Sequence, residues 1–521
     1  MTNIFNQILL LIFLVIIFGC YSIHLGSDSS ADLTNYHIYN GWALWHYRYN
    51  IDVNAVDNLH GHFNPLLDAI NYQFRLLLGN KVYAFTYGSI SAISAFFCSK
   101  IIHLGLNTTL HKHNLKLWAK FWFIAITTLC AVTGYANLVQ VGLSSNENII
   151  TALFIGGFYL ILVTPESFTG GLLLGLALGF KLTIIPFIVA VVLWVIAQTV
   201  FIGIRKFSLL LILKHLLLNR VLIAILLGFL ITGGFWASRM YFKFHNPVYP
   251  SFGNIFISPD IYKIDWIRDD KFLPSDYLHW WFLPFYLMFI NKITGELLMR
   301  DYRIAFGFIA LIIIMLISLY KWLRFRKVDI NTKECFICFT FIIGYILWLL
   351  IFAIQRYAIV LEYLSVIILA LAINKLFINY RIKLIVLLLL ALVIIFSTRL
   401  SGFGHVKFGQ AIDYNKQKLN ISNSLIIVAD SDFSYLTTML GVTNIYMGAP
   451  NIGMDSKYSI DQKLSLISKF RSKFAQKIYL ITNQPTISKQ WLSSKSLAIN
   501  YETCQPLFGY LNESICQLKK V

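Results

Sequence analysis

The stretch "IFNQILLLIFLVIIFGCYSIHLGSDSSADLTNYHIYNGWALWHYRY" occupies residues 4–49. Its first half is an apolar run. A helix needs about 20 such residues to cross a bilayer. Its second half crowds Tyr, Trp, His and Asn around two acids, Asp28 and Asp32. The run has no N-terminal Lys or Arg and no A-x-A site. It therefore reads as a retained helix rather than a cleaved signal. The acids and aromatics stand immediately outside a membrane helix.

The rest of the chain extends this pattern. Of 521 residues, 58% are apolar and 13% charged, with mean hydropathy +0.68. Soluble domains hold about 45–50% apolar and about 25% charged residues. The excess falls in runs such as "VLIAILLGFLITGGFW", "FGFIALIIIMLISLY" and "KLIVLLLLALVIIF". Length and apolarity predict eleven spans, at about 4–24, 82–103, 117–135, 147–163, 170–187, 188–204, 219–240, 303–322, 335–353, 357–376 and 383–398. The net charge of +19 points away from nucleic acid here. With the N-terminus inside, the inner loops include "HKHNLK", "IRKF…LKHLLLNR", "YKWLRFRK" and "NKLFINYRIK", all basic. This is the positive-inside rule. The inner loop "TPESFTG" fits it least.

This register puts 25–80, 136–146, the 187 region, 241–302, 354–356 and everything after about 399 outside. The stretch 276–293, with Trp280 and Trp281, is expected to lie at the interface. The body is thus 1–398, including outer loops 25–80 and 241–302. The tail, 399–521, shows short β-type runs, "SLIIVAD", "NIYMG" and "KIYLIT", between helical patterns. It reads as a small extracytoplasmic α/β domain. Its oxidising side favours a Cys504–Cys516 disulfide over two free thiols. Cys335 and Cys338 form a C-x-x-C inside a span, where metal binding is not expected.

Charge in a bilayer is costly, so ionisable residues at span ends are informative. Glu147, Lys181, Arg239, Arg356 and Glu362 all fall near the outer face. Each alone reads as snorkelling or a cap. Five on one leaflet point to a single outward-facing polar site. A carboxylate there can take a proton from a hydroxyl. Lys and Arg can stabilise charge on a departing phosphate. Aromatics and amides suit sugar rings. In the opening stretch, Asp28, Asp32, Asn35, Tyr36 and Tyr39 recur at four and three, one face of a helix. Asp32 is also a candidate N-cap for a helix beginning at Leu33. A cap leaves the row Tyr36, His37 and Asn40 unexplained.

The ordered segments "DLTNYHIYNGWAL", "HFNPLLDAINY", "GLSSNEN", "GLALGFKLT", "HNPVYPSFGNIF", "DDKFLP", "RDYRIA" and "QRYAIVLEY" resemble the GT-C superfamily. These are integral membrane glycosyltransferases that use polyprenyl-phosphate sugars. The likeness is to a largely uncharacterised bacterial branch and covers about 28–365. It implies inverting transfer to an envelope glycan, lipid or protein on the outer face of the bacterial inner membrane. It makes Asp32 the base, Asp28 the alternative and Glu147 a further catalytic acid, although "S-N-E" stands where relatives carry "G-D". Lys181, Arg239 and Arg356 are the donor-phosphate candidates. Asn35, Tyr36, His37, Asn40, Asn64, Asn246, Tyr357 and Glu362 are the substrate-lining candidates. The segment with Asn246, Pro247, Pro250 and Asn254 is either a loop closing over a lipid-facing groove or a rigid turn. Some members use a divalent ion, Mg or Mn. His60 and His62 alone make a weak site, and no metal is assigned.

Three other readings compete. An O-antigen polymerase or ligase carries its large outer loop late, whereas here the acid-bearing loop comes first. A lipid-linked glycan transporter or flippase is often built from paired halves. Only the Gly179–Lys181–Pro186 break suggests one, and no internal repeat is found. A non-catalytic sensor or scaffold that uses the tail is a third possibility.

Overall fold

The computed structural model describes the chain outside 1–3, 57–58, 110–115, 206–214, 216, 254, 257, 264–269, 327–330, 401, 403, 413–420, 450–454, 474–477, 484–491, 493–496, 508–512 and 521. Most of the two basic loops near 111–116 and 204–220, and Asn254, lie outside the described residues.

Among the described residues, eight helical segments are long and apolar enough to cross a membrane. They are Ile4–Leu25, Leu66–Leu106, Leu182–Phe201, Arg220–Phe244, Arg303–Phe325, Thr332–Ile351, Ile359–Leu376 and Tyr380–Ser397. Three shorter apolar helices, Leu117–Val132, Glu147–Val163 and Phe168–Phe180, occupy the other expected positions. Among the described residues the eleven expected spans thus fall in eight long and three shorter apolar segments, and Leu66–Leu106 also takes in part of the expected outer loop 25–80. Phe168–Phe180 has 13 residues. At 1.5 Å per residue it is about 20 Å long, short of a hydrocarbon core of about 30 Å. It ends because Lys181 is extended, with φ −153° and ψ 128°.

Ile359–Leu376 is buried on all sides and forms the axis of the bundle. It packs against Arg303–Phe325, Leu117–Val132, Ser91–Thr109 and Thr332–Ile351. Phe168–Phe180 packs closely on Arg220–Phe229, because Gly175 and Gly228 have no Cβ to strike the facing backbone. Small residues allow this approach between membrane helices. The segment expected at the interface holds a shorter helix, Tyr277–Tyr286, capped by Asp276. Trp281 on it is 80% exposed.

The tail is an α/β domain with the sheet order β4-β3-β5-β8-β6. The strands are β3 (Leu425–Val428), β4 (Ile445–Gly448), β5 (Ile478–Thr482), β6 (Leu497–Ile499) and β8 (Ser514–Lys520). β3 pairs in parallel with both β4 and β5, and β8 runs antiparallel to β5 and β6. All four residues of β3 are buried, as a strand covered on both faces requires. Cys504 and Cys516 are bonded.

The tail is built onto the first outer loop. Ser27–Asp28 (β1) pairs antiparallel with His405–Val406 (β2). Leu33, Tyr36, Tyr39 and Trp42 share one apolar core with Ile426, Phe433, Tyr435 and Tyr446. Arg48 is the polar pin of this junction. It bonds Asp52 at 2.6 and 3.0 Å, the Val442 carbonyl at 2.9 Å, and the Asn444 carbonyl. Asp52 also accepts from the Tyr446 amide at 2.9 Å.

Removing one partner of a buried ion pair costs about 3–5 kcal/mol, because it strands the other charge. Arg48→Leu is therefore expected to loosen the tail. Limited proteolysis should then cut the chain between 399 and 425 faster than in wild type. Equal cleavage rates would show that the pair does not hold the junction.

Candidate active site

The turn from Gln140 to Glu147 joins two helices and is almost entirely buried. Buried backbone and amides must find partners. Gly142 (φ +81°) and Asn146 (φ +71°) take the left-handed conformations that bend it. Ser144 donates to Asp28 from its amide at 2.8 Å and its hydroxyl at 2.6 Å. The Ser145 carbonyl accepts from Lys181 Nζ at 2.5 Å. Asn146 donates to Asp68 at 3.1 Å. Glu147 pairs with Lys181 at 2.6 Å and accepts from Thr183 at 2.9 Å. Gln140 donates to the Arg356 carbonyl at 2.7 Å and accepts from Ser145 at 2.8 Å. One turn thus positions both Lys181 and Arg356.

Facing it is the first loop. Leu33–His37 forms a π-turn that continues into the helix Ile38–Trp45. The Ile38 amide bonds the Leu33 carbonyl. That i→i+5 closure, common at functional sites, brings residues five apart toward one face. Asp32 and His37 are so placed. Arg356 bonds Asp32 at 2.6 Å and Glu296 at 3.3 Å. Tyr357 lies beside both cations, its ring 5.2 Å from the Arg356 guanidinium and 5.9 Å from Lys181 Nζ. His60 stacks on Tyr36 at 4.6 Å.

The site is open enough for a ligand. Side-chain exposure is 19% at Asp32, 17% at Arg356, 17% at Lys181 and 30% at Glu296. Burial alone would raise the Asp32 pKa. Arg356, with His37, His60 and Lys181, outweighs it and holds the carboxyl below its ordinary value of 3.8. The paired Asp32 is therefore a firmly ionised carboxylate.

Several candidates hold the scaffold instead of facing the site. Asp28 lies on β1, off the helical face expected for it. Its Oδ1 accepts from the Ser30 amide and hydroxyl, and its Oδ2 from Arg75 at 2.8 Å as well as from Ser144. Burial opposes its ionisation, but Arg75 and these donors keep its pKa low. With both oxygens occupied, it has no place for an acceptor. Asp32 makes no side-chain cap, because it already has helical φ and ψ. Asn40 is fully buried and donates to the His60 carbonyl. Asn64 donates to the Gly179 carbonyl at 2.6 Å and the Thr232 carbonyl at 2.8 Å, which fixes the break before Lys181. Asn246 is fully buried and spans its own turn to Ser251 and Val248. The segment is a rigid turn there. Glu362 accepts from the Ala136 and Asn137 amides. Arg239 binds Asn50 and the Tyr49 carbonyl rather than the Lys181–Arg356 pair. Asn35 bonds Asp432 of the tail, and its carbonyl accepts from Ser434.

Sequence reasoning missed Asp68, Glu296, Thr183 and the polar atoms of the 144–146 turn. Asp68 stands in "HFNPLLDAINY", where a lone acid among apolar residues was the available signal. Among the described residues, no three metal-ligating side chains gather. His62 packs against Phe244 and Tyr249, away from His60's partner Tyr36. A separate apolar groove of about 620 Å³ lies between Ile4–Leu25, Ser91–Thr109 and Leu117–Val132, with Asn6, His103 and Lys120 among its polar lining.

No known family profile and no curated protein sequence matches the chain. A solved structure does. It is ArnT from Cupriavidus metallidurans, bound to undecaprenyl phosphate. The match covers 99% of this chain and 98% of ArnT, with a TM-score of 0.54 and 10% identity. The chain shares the fold of ArnT. The likeness runs through the bundle and the tail alike, and with the apolar helices it makes the chain a membrane protein.

The depressed Asp32 pKa has a signed consequence. The Asp32–Arg356 pair contributes stability above the unfolded pKa of about 4, and loses it as pH falls through the lower folded value. The Tm difference between wild type and Asp32→Asn should be constant from pH 8 to 5 and shrink below pH 4. A difference that changes between pH 6 and 8 would mean another group governs the pair.

Proposed function

We propose that the chain is a membrane glycosyltransferase of the GT-C type. It moves a sugar from a polyprenyl-phosphate donor to a hydroxyl on an envelope glycan, lipid or protein. One observation carries this: a half-open site on this fold sets the Asp32 carboxylate directly against Arg356, with Lys181 beside it.

In this reading Lys181 and Arg356 receive the donor phosphate, and Tyr357 lines the sugar pocket. The phosphate competes with Asp32 for Arg356. Once Arg356 turns toward phosphate, Asp32 keeps its burial but loses its main counter-charge. Its carboxyl then becomes more basic when the donor is in place. Asp32 takes the acceptor proton, the acceptor oxygen attacks the anomeric carbon from the face opposite phosphate, and the configuration inverts. The C–O bond pair leaves with the lipid phosphate, whose charge the two cations stabilise. Glu147, itself held by Thr183, holds Lys181, and Glu296 holds Arg356 when the donor is absent. The site lies on the outer face of the bacterial inner membrane, with the N-terminus cytoplasmic and the tail extracytoplasmic. Asp28, Arg239, Asn246 and Glu362 act on the scaffold.

The test is turnover of a panel of undecaprenyl-phosphate hexoses and pentoses by purified protein. A positioned base contributes about 10²–10⁴-fold. Asp32→Asn should lower kcat by that factor, and the product anomer should be inverted. Lys181→Ala and Arg356→Ala should mainly lower kcat/KM for the donor. Wild-type turnover in Asp32→Asn, or a retained anomer, would overturn the assignment.

A further inference from the structure

The two ring nitrogens of His37 have different surroundings. Its Nδ1 lies 2.7 Å from Asp68 Oδ1, and the two side chains are only 5% and 4% exposed. Asp68 is itself held by Asn146 at 3.1 Å. Its other ring nitrogen, Nε2, is buried and has no hydrogen-bond partner among the described residues. An unpaired buried polar atom costs about 1–3 kcal/mol. Native structures keep few such atoms, and each needs an explanation.

The orientation supplies one. A carboxylate only accepts, so Nδ1 must carry the hydrogen that Asp68 receives. Nε2 is then the position where a proton can be gained or lost. The π-turn brings His37 toward the face of Asp32, and the two are close enough to interact electrostatically. Tyr36, its ring 4.1 Å away, limits the imidazole on one side. Carboxylate, imidazole and a vacant Nε2 make the arrangement by which a buried acid orients a histidine and stabilises its protonated form.

We propose that His37, oriented by Asp68, is the second proton acceptor of this site and relieves Asp32 of the proton taken from the acceptor hydroxyl. This rests on the transferase reading above. The acceptor O–H bond breaks as the O–C1 bond forms, and the C1–O bond pair leaves with the lipid phosphate. The proton passes from the Asp32 carboxyl through a bridging water to His37 Nε2, which has no protein partner within hydrogen-bond reach among the described residues, and then to solvent. Asp68 is a positioning residue: it fixes the tautomer and balances the imidazolium. Asp32 alone serves poorly as the final holder, because Arg356 returns to it once the lipid phosphate has left. An imidazole is suited to exchange a proton near neutral pH.

The test is kinetic, with the undecaprenyl-phosphate sugar that wild type turns over. His37→Gln should lower kcat by 10-fold or more, with the donor KM within twofold. Asp68→Asn should do the same. The double variant should be no slower than His37→Gln, because Asp68 acts only through His37. Imidazole added to His37→Ala should restore part of the lost kcat. If kcat stays within twofold in either single variant, if KM alone changes, or if the two losses multiply, the proposal is overturned. Should His37→Gln lose its fold, shown by a collapsed Tm, the near-isosteric Asp68→Asn decides alone on the same kcat criterion. Wild-type turnover in Asp32→Asn would instead overturn the parent reading. A dead Asp32→Asn beside an active His37→Gln would overturn only this inference.

Discussion

The buried turn from Gln140 to Glu147 is the constraint on which the rest depends. It sits where water cannot satisfy its polar atoms, so every amide and side chain must be answered by protein. Those answers come from all over the chain. Asp28 meets Ser144, Lys181 meets Ser145, Asp68 meets Asn146, and the Arg356 backbone meets Gln140. A solvent-exposed turn would have no need of these partners. Because it is buried, it fixes two cations, the Asp68 that orients His37, and the root of the loop that carries Asp32.

The division of labour between the two acids follows. Asp28 and Asp32 are four residues apart, yet one is saturated and the other is not. Asp28 has Arg75, Ser30 and Ser144 on its two oxygens and is buried in the β1–β2 pair. Among the described residues Asp32 pairs with Arg356, which also reaches Glu296. A guanidinium shared between two carboxylates can turn to a phosphate, and Asp32 then loses its main counter-charge. The tail adds rigidity from the other side. Its contacts with the backbone of Thr34 and Asn35 brace the π-turn at the residues between Asp32 and His37.

Much of the architecture was legible because apolarity is a local property. Each apolar helix stood where its run of sequence stood, and the runs at 424–430, 444–448 and 477–482 contained β3, β4 and β5. Of the five span-end charges expected to converge, Glu147, Lys181 and Arg356 lie together, whereas Arg239 binds Asn50 and Tyr49 and Glu362 binds Ala136 and Asn137. What the sequence hid was which polar residues were already spent. That depends on partners far along the chain: Arg75 is 47 residues from Asp28, Thr232 is 168 from Asn64, and Ala136 is 226 from Glu362. Spacing cannot reveal them. Span lengths were obscured for a related reason. The break at Lys181 is enforced by Asn64 gripping the Gly179 carbonyl, a contact from a different loop. Asp68 escaped notice because its importance lies in what it touches, His37 and Asn146, not in its neighbours in sequence.

The most direct measurement is a cryo-electron microscopy structure of the full chain with undecaprenyl phosphate. The account predicts phosphate density between Lys181 Nζ and the Arg356 guanidinium, with the Asp32–Arg356 distance longer than its present 2.6 Å. Phosphate density lodged instead beside Lys120 and His103 in the apolar groove, with Asp32 and Arg356 still paired, would contradict it.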